Sequence, residues 1–129
     1  MEIEELKKYA EESYWNNKRR PKKDIESKRI LLAKGISEML EWGFKLTIWW
    51  IYDEKEAKKL FNFLTDKKRT CRLILDQNGA YSIELPKMDR DFFRKYSNEF
   101  FSSSSYGYTF EDGKKVIEIF EGGIEIKNK

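Results

Sequence analysis

The sequence predicts a single α+β domain: an antiparallel sheet with a ferredoxin-like βαββαβ middle, two N-terminal helices and a C-terminal β-hairpin extension. Apolar residues recur at helical spacing in four segments and at strand spacing in six others, in the order α-α-β-α-β-β-α-β-β-β. Residues 44–111 follow the ferredoxin-like part of that order. A chain of 129 residues is the size of one domain, here 1–129, and can bury a core without disulfides or a metal.

The N-terminal segment, residues 1–42, is predicted to be a helical hairpin with a basic linker. Apolar side chains at helical spacing indicate a first helix over residues 2–17. Glutamates at its start and Lys18 and Arg19 at its end match the polarity that a helix dipole favours.

A second helix is predicted over residues 25–42. Pro21 disfavours helical geometry at Arg20, so Asp24 is the expected N-cap, and Gly43 is expected to end the helix. Its broad apolar stripe needs a partner, and we expect one of the two N-terminal helices to cover the second face of the sheet.

The sheet-containing core, 44–127, is predicted to begin with a strand over 44–52, followed by a helix from Asp53 to about Leu64. Strict alternation assigns the strand residues to two faces. One face carries Phe44, Leu46, Ile48, Trp50 and Tyr52, and the other carries Lys45, Thr47, Trp49 and Ile51.

A hairpin is predicted over residues 70–85, and its register follows from its turn. A turn over 76–79 with Gly79 left-handed puts the apolar side chains of both strands on one face, which a two-residue turn does not. This register pairs Leu75 with Tyr81, Leu73 with Ile83, and Cys71 with Leu85.

The C-terminal part is predicted to be a helix over 88–101 and a three-stranded meander. Two-residue turns at 112–113 and 122–123 place Lys127 opposite Glu118. They also put one apolar set on a single face: Tyr106, Tyr108, Ile117, Ile119, Ile124 and Ile126.

Charge is the first candidate functional feature. The net charge is only +3, and without the five basic residues of 18–23 the chain has 21 basic and 23 acidic residues, a net charge of −2. The basic character is therefore concentrated in residues 18–23, which we call the basic arm and which resemble a phosphate-binding segment. A second basic cluster follows the third helix. The candidate nucleic-acid-binding cations are Lys18, Arg19, Arg20, Lys22, Lys23, Lys67, Lys68, Arg69 and Arg72.

Trp49 is the second candidate. Ferredoxin-like sheets that bind RNA present aromatic side chains on the open face of their two central strands. The other central strand would contribute only Ala80, Ser82 and Glu84 to that face, which departs from the RNA-binding pattern. Burial of Trp49 under an N-terminal helix is the favoured expectation.

The residue inventory excludes several chemistries. Without histidine and with one cysteine, Ser-His and Cys-His catalysis and the usual zinc sites are excluded within one chain. A nuclease-like Glu-x-Lys occurs at 125–127, but the register puts Asp112 roughly 20 Å away, and Asp76 lies roughly 13 Å from Glu84, at about 3.3 Å per residue. We therefore expect no enzyme activity, no metal and no cofactor.

Two functions follow as hypotheses. The first is a small non-catalytic nucleic-acid-binding module that uses the basic arm. The alternative is a protein-interaction or regulatory module that binds a partner, or a second copy as a homodimer, through an aromatic sheet face or the Tyr106–Tyr108 edge. No apolar run is long enough for a membrane span, so a cytoplasmic protein is expected. Abundant Lys, Glu and Ile fit a thermophilic source or an AT-rich genome.

Overall fold

In a computed structural model that describes residues 2–14, 20–121 and 123–129, the chain forms an α+β fold of five helices and one six-stranded antiparallel sheet. The strand order across the sheet is β2-β3-β1-β4-β5-β6. Along the chain the elements are α1 (Ile3–Tyr14), α2 (Lys22–Met39), β1 (Phe44–Ile51), α3 (Glu54–Asp66), β2 (Arg72–Leu75), β3 (Tyr81–Met88), α4 (Arg90–Lys95), α5 (Ser97–Phe100), β4 (Gly107–Glu111), β5 (Lys115–Phe120) and β6 (Gly123–Asn128).

One face of the sheet is buried beneath the helices and the other is open. On β1, Phe44, Leu46 and Ile48 are buried, while the alternate residues are partly exposed. Phe93 of α4 lies against the buried face, with its ring centroid 5.4 Å from that of Phe110. Large aromatic rings packed between one sheet face and one helical layer are a prominent part of this core.

The prediction that an N-terminal helix covers the second sheet face is wrong. Helix α2 packs against α4 and α5, and α1 packs against α2 and β6, so both belong to the same helical layer. Leu6, Leu32 and Ile36 join the same core cluster as the sheet residues. The apolar stripe of α2 thus finds its partner among helices, which leaves the second face open.

The predicted alternation along β1 fails at its end because the strand contains a β-bulge. Its pairing with β3 shifts between Ile48 and Ile51, where two residues oppose one, and Trp50 has φ 62°. The shift buries Ile51 on the helical side and leaves Trp50 and Tyr52 exposed, the reverse of the predicted faces.

The hairpin register is confirmed for β2 and β3. Leu75 pairs with Tyr81 and Leu73 with Ile83, and Gly79 has φ 82° as the left-handed residue of the turn. The Asp76 side chain accepts hydrogen bonds from the backbone N–H groups of Asn78 and Ala80. The carboxylate therefore fixes the turn, and the turn fixes the register.

The residues of the meander lie on their predicted faces of the sheet. The β4–β5 and β5–β6 pairings, however, are both shifted from the predicted registers. Tyr108 pairs with Ile119 and Glu118 with Glu125, so the predicted Glu118–Lys127 pair does not form. Each slip is an even number of residues, and an even slip leaves every side chain on its face. Residue 122 of the predicted second turn lies outside the described residues.

Several helix bounds differ from the prediction. Helix α2 begins at Lys22 with Pro21 at the N-cap position, where Asp24 was the predicted N-cap, and it ends at Met39, before Gly43. The predicted helix over 88–101 is interrupted at Tyr96 between α4 and α5. The predicted end of the first helix, at residue 17, lies outside the described residues. No helix in the described segments is long and apolar enough to cross a membrane.

Asp112 ties the β4–β5 turn to the end of the α2–β1 connection. Its carboxylate accepts hydrogen bonds from the backbone N–H groups of Lys114 and Lys115 at 2.7 Å and of Glu41 at 2.8 Å. Desolvation opposes ionisation, but these hydrogen bonds and the charge of Lys115 together hold the pKa of Asp112 below its ordinary value of 3.8. The ionised side chain is thus a structural acceptor.

We predict that Asp112→Asn lowers the free energy of unfolding by about 1 kcal/mol at neutral pH, because the amide cannot accept all three hydrogen bonds. A carboxylate with a lowered folded-state pKa stabilises above its ordinary pKa and loses that contribution as the pH falls through the folded pKa. Urea titrations from pH 7 to 2.5 should therefore show the gap between wild type and variant closing in acid. Asp66→Asn, at an exposed position, is the control, and an Asp112→Asn gap independent of pH would contradict the assignment.

Candidate functional site

The open face presents a cluster of three aromatic side chains at one end of the sheet. Trp49 and Trp50 stand edge to face with ring centroids 4.5 Å apart, and Phe120 of β5 lies 5.9 Å from Trp49 and 6.3 Å from Trp50. The bulge in β1 causes this arrangement, because it places the consecutive side chains of Trp49 and Trp50 beside the same ring, that of Phe120. We call Trp49, Trp50 and Phe120 the aromatic patch.

Gly107 makes room for the patch. It pairs with Trp49 across β1 and β4, and a Cβ on Gly107 would lie only 2.4–2.5 Å from atoms of the Trp49 indole ring. The indole lies over the bare backbone, and its Nε1–H donates a 2.9 Å hydrogen bond to Thr109 Oγ1. Trp49 is therefore held in one orientation, whereas Trp50 stays 39% exposed.

An alternating ion-pair network crosses the other end of the open face. Lys45 Nζ lies 3.6 Å from Glu84 Oε2 and 3.8 Å from Glu111 Oε1. Arg72 pairs with the second oxygen of Glu84 at 3.1 Å, and Lys129 with the second oxygen of Glu111 at 3.4 Å. A hydrogen bond from Arg72 lowers the pKa of Glu84. Desolvation acts in the opposite direction, and the charges of Arg72 and Lys45 add to the lowering. These three cations are already paired with carboxylates.

Carboxylates border the aromatic patch instead. Glu118 on β5 and Glu125 on β6 face each other directly, and Glu118 lies two residues before Phe120, on the same face. Lys127 Nζ approaches Glu125 at 3.4 Å. Glu121 follows Phe120 at an exposed position with φ 53°. The border of the patch is therefore acidic.

The described part of the basic arm lies at the start of α2, and much of its charge is compensated. Arg20 pairs with Asp24 at 3.0 Å and with Glu12 of α1 at 3.7 Å. Lys22 stays 91% exposed, with Glu26 at 4.0 Å, and Lys23 is exposed. Lys18 and Arg19 lie outside the described residues.

The second basic cluster lies at the opposite end of α2. Arg69 pairs with Asp89 at 3.3 Å, and the neighbouring Arg90 donates a hydrogen bond to the carbonyl oxygen of Leu40, the residue that caps the C-terminus of α2. Helix α2 has 18 residues, about 27 Å at about 1.5 Å per residue. The described residues of the two clusters are therefore separated by the length of this helix.

Most side chains of the second cluster are engaged locally. The Arg69 guanidinium lies 4.1 Å from the centroid of the Phe92 ring, and the Lys67 ammonium lies 5.4 Å from that of Tyr96. Lys68 is exposed at φ 62°, and Arg72 belongs to the ion-pair network of the open face. Lys45 shares a strand face with Trp49, but it is held by Glu84 and Glu111 in the same network.

The Tyr106–Tyr108 edge predicted from the sequence is not an edge. Strand β4 lies between β1 and β5, Tyr108 is buried in the core, and Tyr106 is buried with its hydroxyl donating a 2.8 Å hydrogen bond to Glu56. Burial, together with that hydrogen bond, raises the pKa of Tyr106. A cavity of about 290 Å³ lies beside Tyr106, between α3 and the 102–103 loop.

The carboxylates considered for nuclease chemistry have structural partners. Asp76 fixes the β2–β3 turn, Asp112 fixes the β4–β5 turn, and Glu84 belongs to the ion-pair network. Within the described residues, no three acidic or cysteine side chains converge where a metal ion could be held. Cys71 packs at the margin of the core, and burial raises the pKa of its thiol.

Sequence reasoning identified Trp49 but missed Trp50 and Phe120. A signal for Trp50 existed in the unbroken apolar run of residues 48–51, which a strictly alternating strand with one open face would not contain. Comparison of the chain with protein-family models, with curated proteins and with solved structures returned no match.

Proposed function

We propose that this protein is a non-catalytic interaction module that binds a polypeptide through the aromatic patch on the open face of its sheet. The observation that carries the proposal is the β-bulge that places Trp49 and Trp50 together beside Phe120. Trp50 has a left-handed backbone, an uncommon conformation for a bulky residue, and such strain is concentrated at functional sites. Tryptophan is enriched among the residues that dominate binding energy at protein interfaces.

We also propose that the middle of the chain has a ferredoxin-like arrangement. The four strands of residues 44–111 pair in the order β2-β3-β1-β4, and the helices pack on one face. A sheet of this kind leaves its other face free for ligands, and the patch lies on that face, on the interior strands β1 and β5.

Charge decides between a polypeptide and a nucleic acid as the ligand of this face. Single-stranded nucleic acids stack bases on aromatic side chains, but they also need a positively charged groove for their phosphates. Glu118 lies two residues before Phe120 on the same strand face and directly opposite Glu125, and Lys45 is already shared between two other carboxylates. Repulsion of phosphates by this border favours a polypeptide ligand.

The test is a selection of peptide ligands from a displayed random library, followed by affinity measurements on variants. Trp50→Asn removes the ring and suits the left-handed backbone, so the selected peptides should bind about tenfold more weakly or worse. Trp42→Ala is the matched control, because Trp42 is 65% exposed and lies beside Arg90 outside the patch. Single-stranded RNA that binds in a Trp50-dependent way, with no selected peptide doing so, would refute the proposal.

Nucleic-acid binding by the basic arm is the second candidate function, favoured by the 91% exposure of Lys22 and the exposure of Lys23 beside it. If the arm grips phosphates, replacing Arg19, Arg20, Lys22 and Lys23 by Gln should flatten the log–log salt dependence of duplex binding by roughly two to four units. Weak binding with an unchanged slope would leave the arm as a linker between two helices.

A further inference from the structure

The surroundings of the aromatic patch carry a charge preference that the function proposed above leaves open. Glu118 and Glu125 lie directly opposite each other on neighbouring strands, and like charges in that position destabilise a sheet. Within the described residues Glu125 has one cationic neighbour, Lys127, and Glu118 forms no ion pair. A cation supplied by a ligand would compensate both carboxylates.

Among the described residues, Lys127 is paired with Glu125, which leaves Glu118 without an ion pair. Lys45, Arg72 and Lys129 are held in the network at the far end of the open face, each on Glu84 or Glu111. The open face therefore divides into a compensated charged end and an aromatic end with an acidic border. A ligand that covers the aromatic end meets negative charge.

The aromatic rings of the patch favour a planar cation. A guanidinium group is planar, stacks on aromatic faces, and donates paired hydrogen bonds to a carboxylate at the same time. The 39% exposed ring of Trp50 offers a surface for stacking, and Phe120 lies on the same strand face as Glu118, two residues away. An ammonium group can pair with the carboxylates but lacks the planar fork.

We propose that the aromatic patch and its carboxylates Glu118, Glu121 and Glu125 bind a basic, arginine-containing segment of a partner polypeptide. This inference rests on the proposed function, because it names the chemistry of the ligand that the same face binds. Arginine side chains stack on Trp50 and Phe120, and their N–H groups reach the carboxylates on β5 and β6.

The test uses fluorescently labelled Gly-Ser-Arg repeat peptides and matched peptides with Lys or Gln in place of Arg. By anisotropy the Arg peptide should bind about tenfold or more tightly than the Gln peptide, with the Lys peptide between them. The double variant Glu118→Gln, Glu125→Gln should lose about tenfold in affinity for the Arg peptide.

Glu11→Gln, Glu38→Gln is the matched control, because it changes the net charge equally at exposed positions on α1 and α2. It should stay within about twofold of wild type, since charges far from the site are screened by salt. Equal losses in both double variants, or equal affinities for the Arg and Gln peptides, would overturn the inference.

The same titrations separate this inference from the proposed function. If Trp50→Asn abolishes binding of library-selected peptides while the Glu118→Gln, Glu125→Gln variant does not weaken the Arg peptide, the face binds polypeptides but has no basic preference. If single-stranded RNA binds in a Trp50-dependent way and no peptide does, both proposals fail.

Discussion

Phe93→Ala is expected to lower the free energy of unfolding by about 3–5 kcal/mol, the cost of deleting a fully enclosed phenyl ring from a core. Phe93 is 0% exposed, and its ring centroid lies 5.4–5.8 Å from those of four neighbours: Phe44, Phe100, Phe101 and Phe110. Those rings belong to β1, α5, the segment after α5, and β4, so no single element can close the cavity by moving alone. Domains of this size have total stabilities of about 5–15 kcal/mol, so this loss is large.

Denaturant titration monitored by circular dichroism measures this loss. Phe63→Ala is the matched control, because its ring is partly buried and, among the described residues, contacts one aromatic ring, that of Tyr96 at 5.2 Å. The control should cost clearly less, since solvent and flexible surface side chains can fill the space that its ring leaves. Equal losses for Phe93 and Phe63 would mean that the aromatic core is not the main source of stability.

Gly107→Ala is expected to disrupt the aromatic patch and to lower the free energy of unfolding by about 1–3 kcal/mol, the range for an added methyl group that meets packed atoms. The new Cβ would lie 2.4–2.5 Å from the Trp49 indole, which is closer than two carbon atoms can approach. The indole must then leave Gly107 and with it the hydrogen bond to Thr109 and the contact with Phe120. Tryptophan quenching and near-ultraviolet circular dichroism should both change.

A double-mutant cycle assigns this effect to the contact. In a Trp49→Ala background, Gly107→Ala should cost little, because no ring remains to be displaced. Gly113→Ala is the matched control in wild type, since a Cβ there meets nothing within 4 Å. If Gly107→Ala costs as much without Trp49 as with it, backbone conformation at Gly107 and not the indole is responsible.

The hydrophobic pattern and the turn chemistry are local properties, and the features that depend on them could be predicted from the sequence. The α+β class and the order of the elements follow from the spacing of apolar residues. The β2–β3 register follows from Asp76 and Gly79, which determine the turn within four residues of chain. The apolar face of the meander was also predictable, because a register shift of two residues leaves every side chain on the same face of the sheet.

The sequence did not predict the open face, because more than one apolar surface of the protein could cover the apolar stripe of α2. The pattern of α2 shows that it needs an apolar partner, but it does not distinguish the second sheet face from the α4 and α5 surface. In the structure α2 packs against α4 and α5, and Arg94 Nε donates a 2.7 Å hydrogen bond to Ser37 Oγ. Trp49 is therefore left on an open face.

By itself the sequence determined the α+β class, the order of the elements apart from the break between α4 and α5, and the hairpin register, and it singled out Trp49. Only the tertiary structure decided that Trp50 and Phe120 join Trp49, that Glu118 faces Glu125, and that Arg20 is compensated by Glu12. An even register slip leaves the alternation of the apolar residues unchanged, the bulge depends on how β1 pairs with β3, and the Arg20–Glu12 ion pair depends on how α1 packs against α2. Such features are set by the energy of contacts between elements, which the local sequence pattern does not specify.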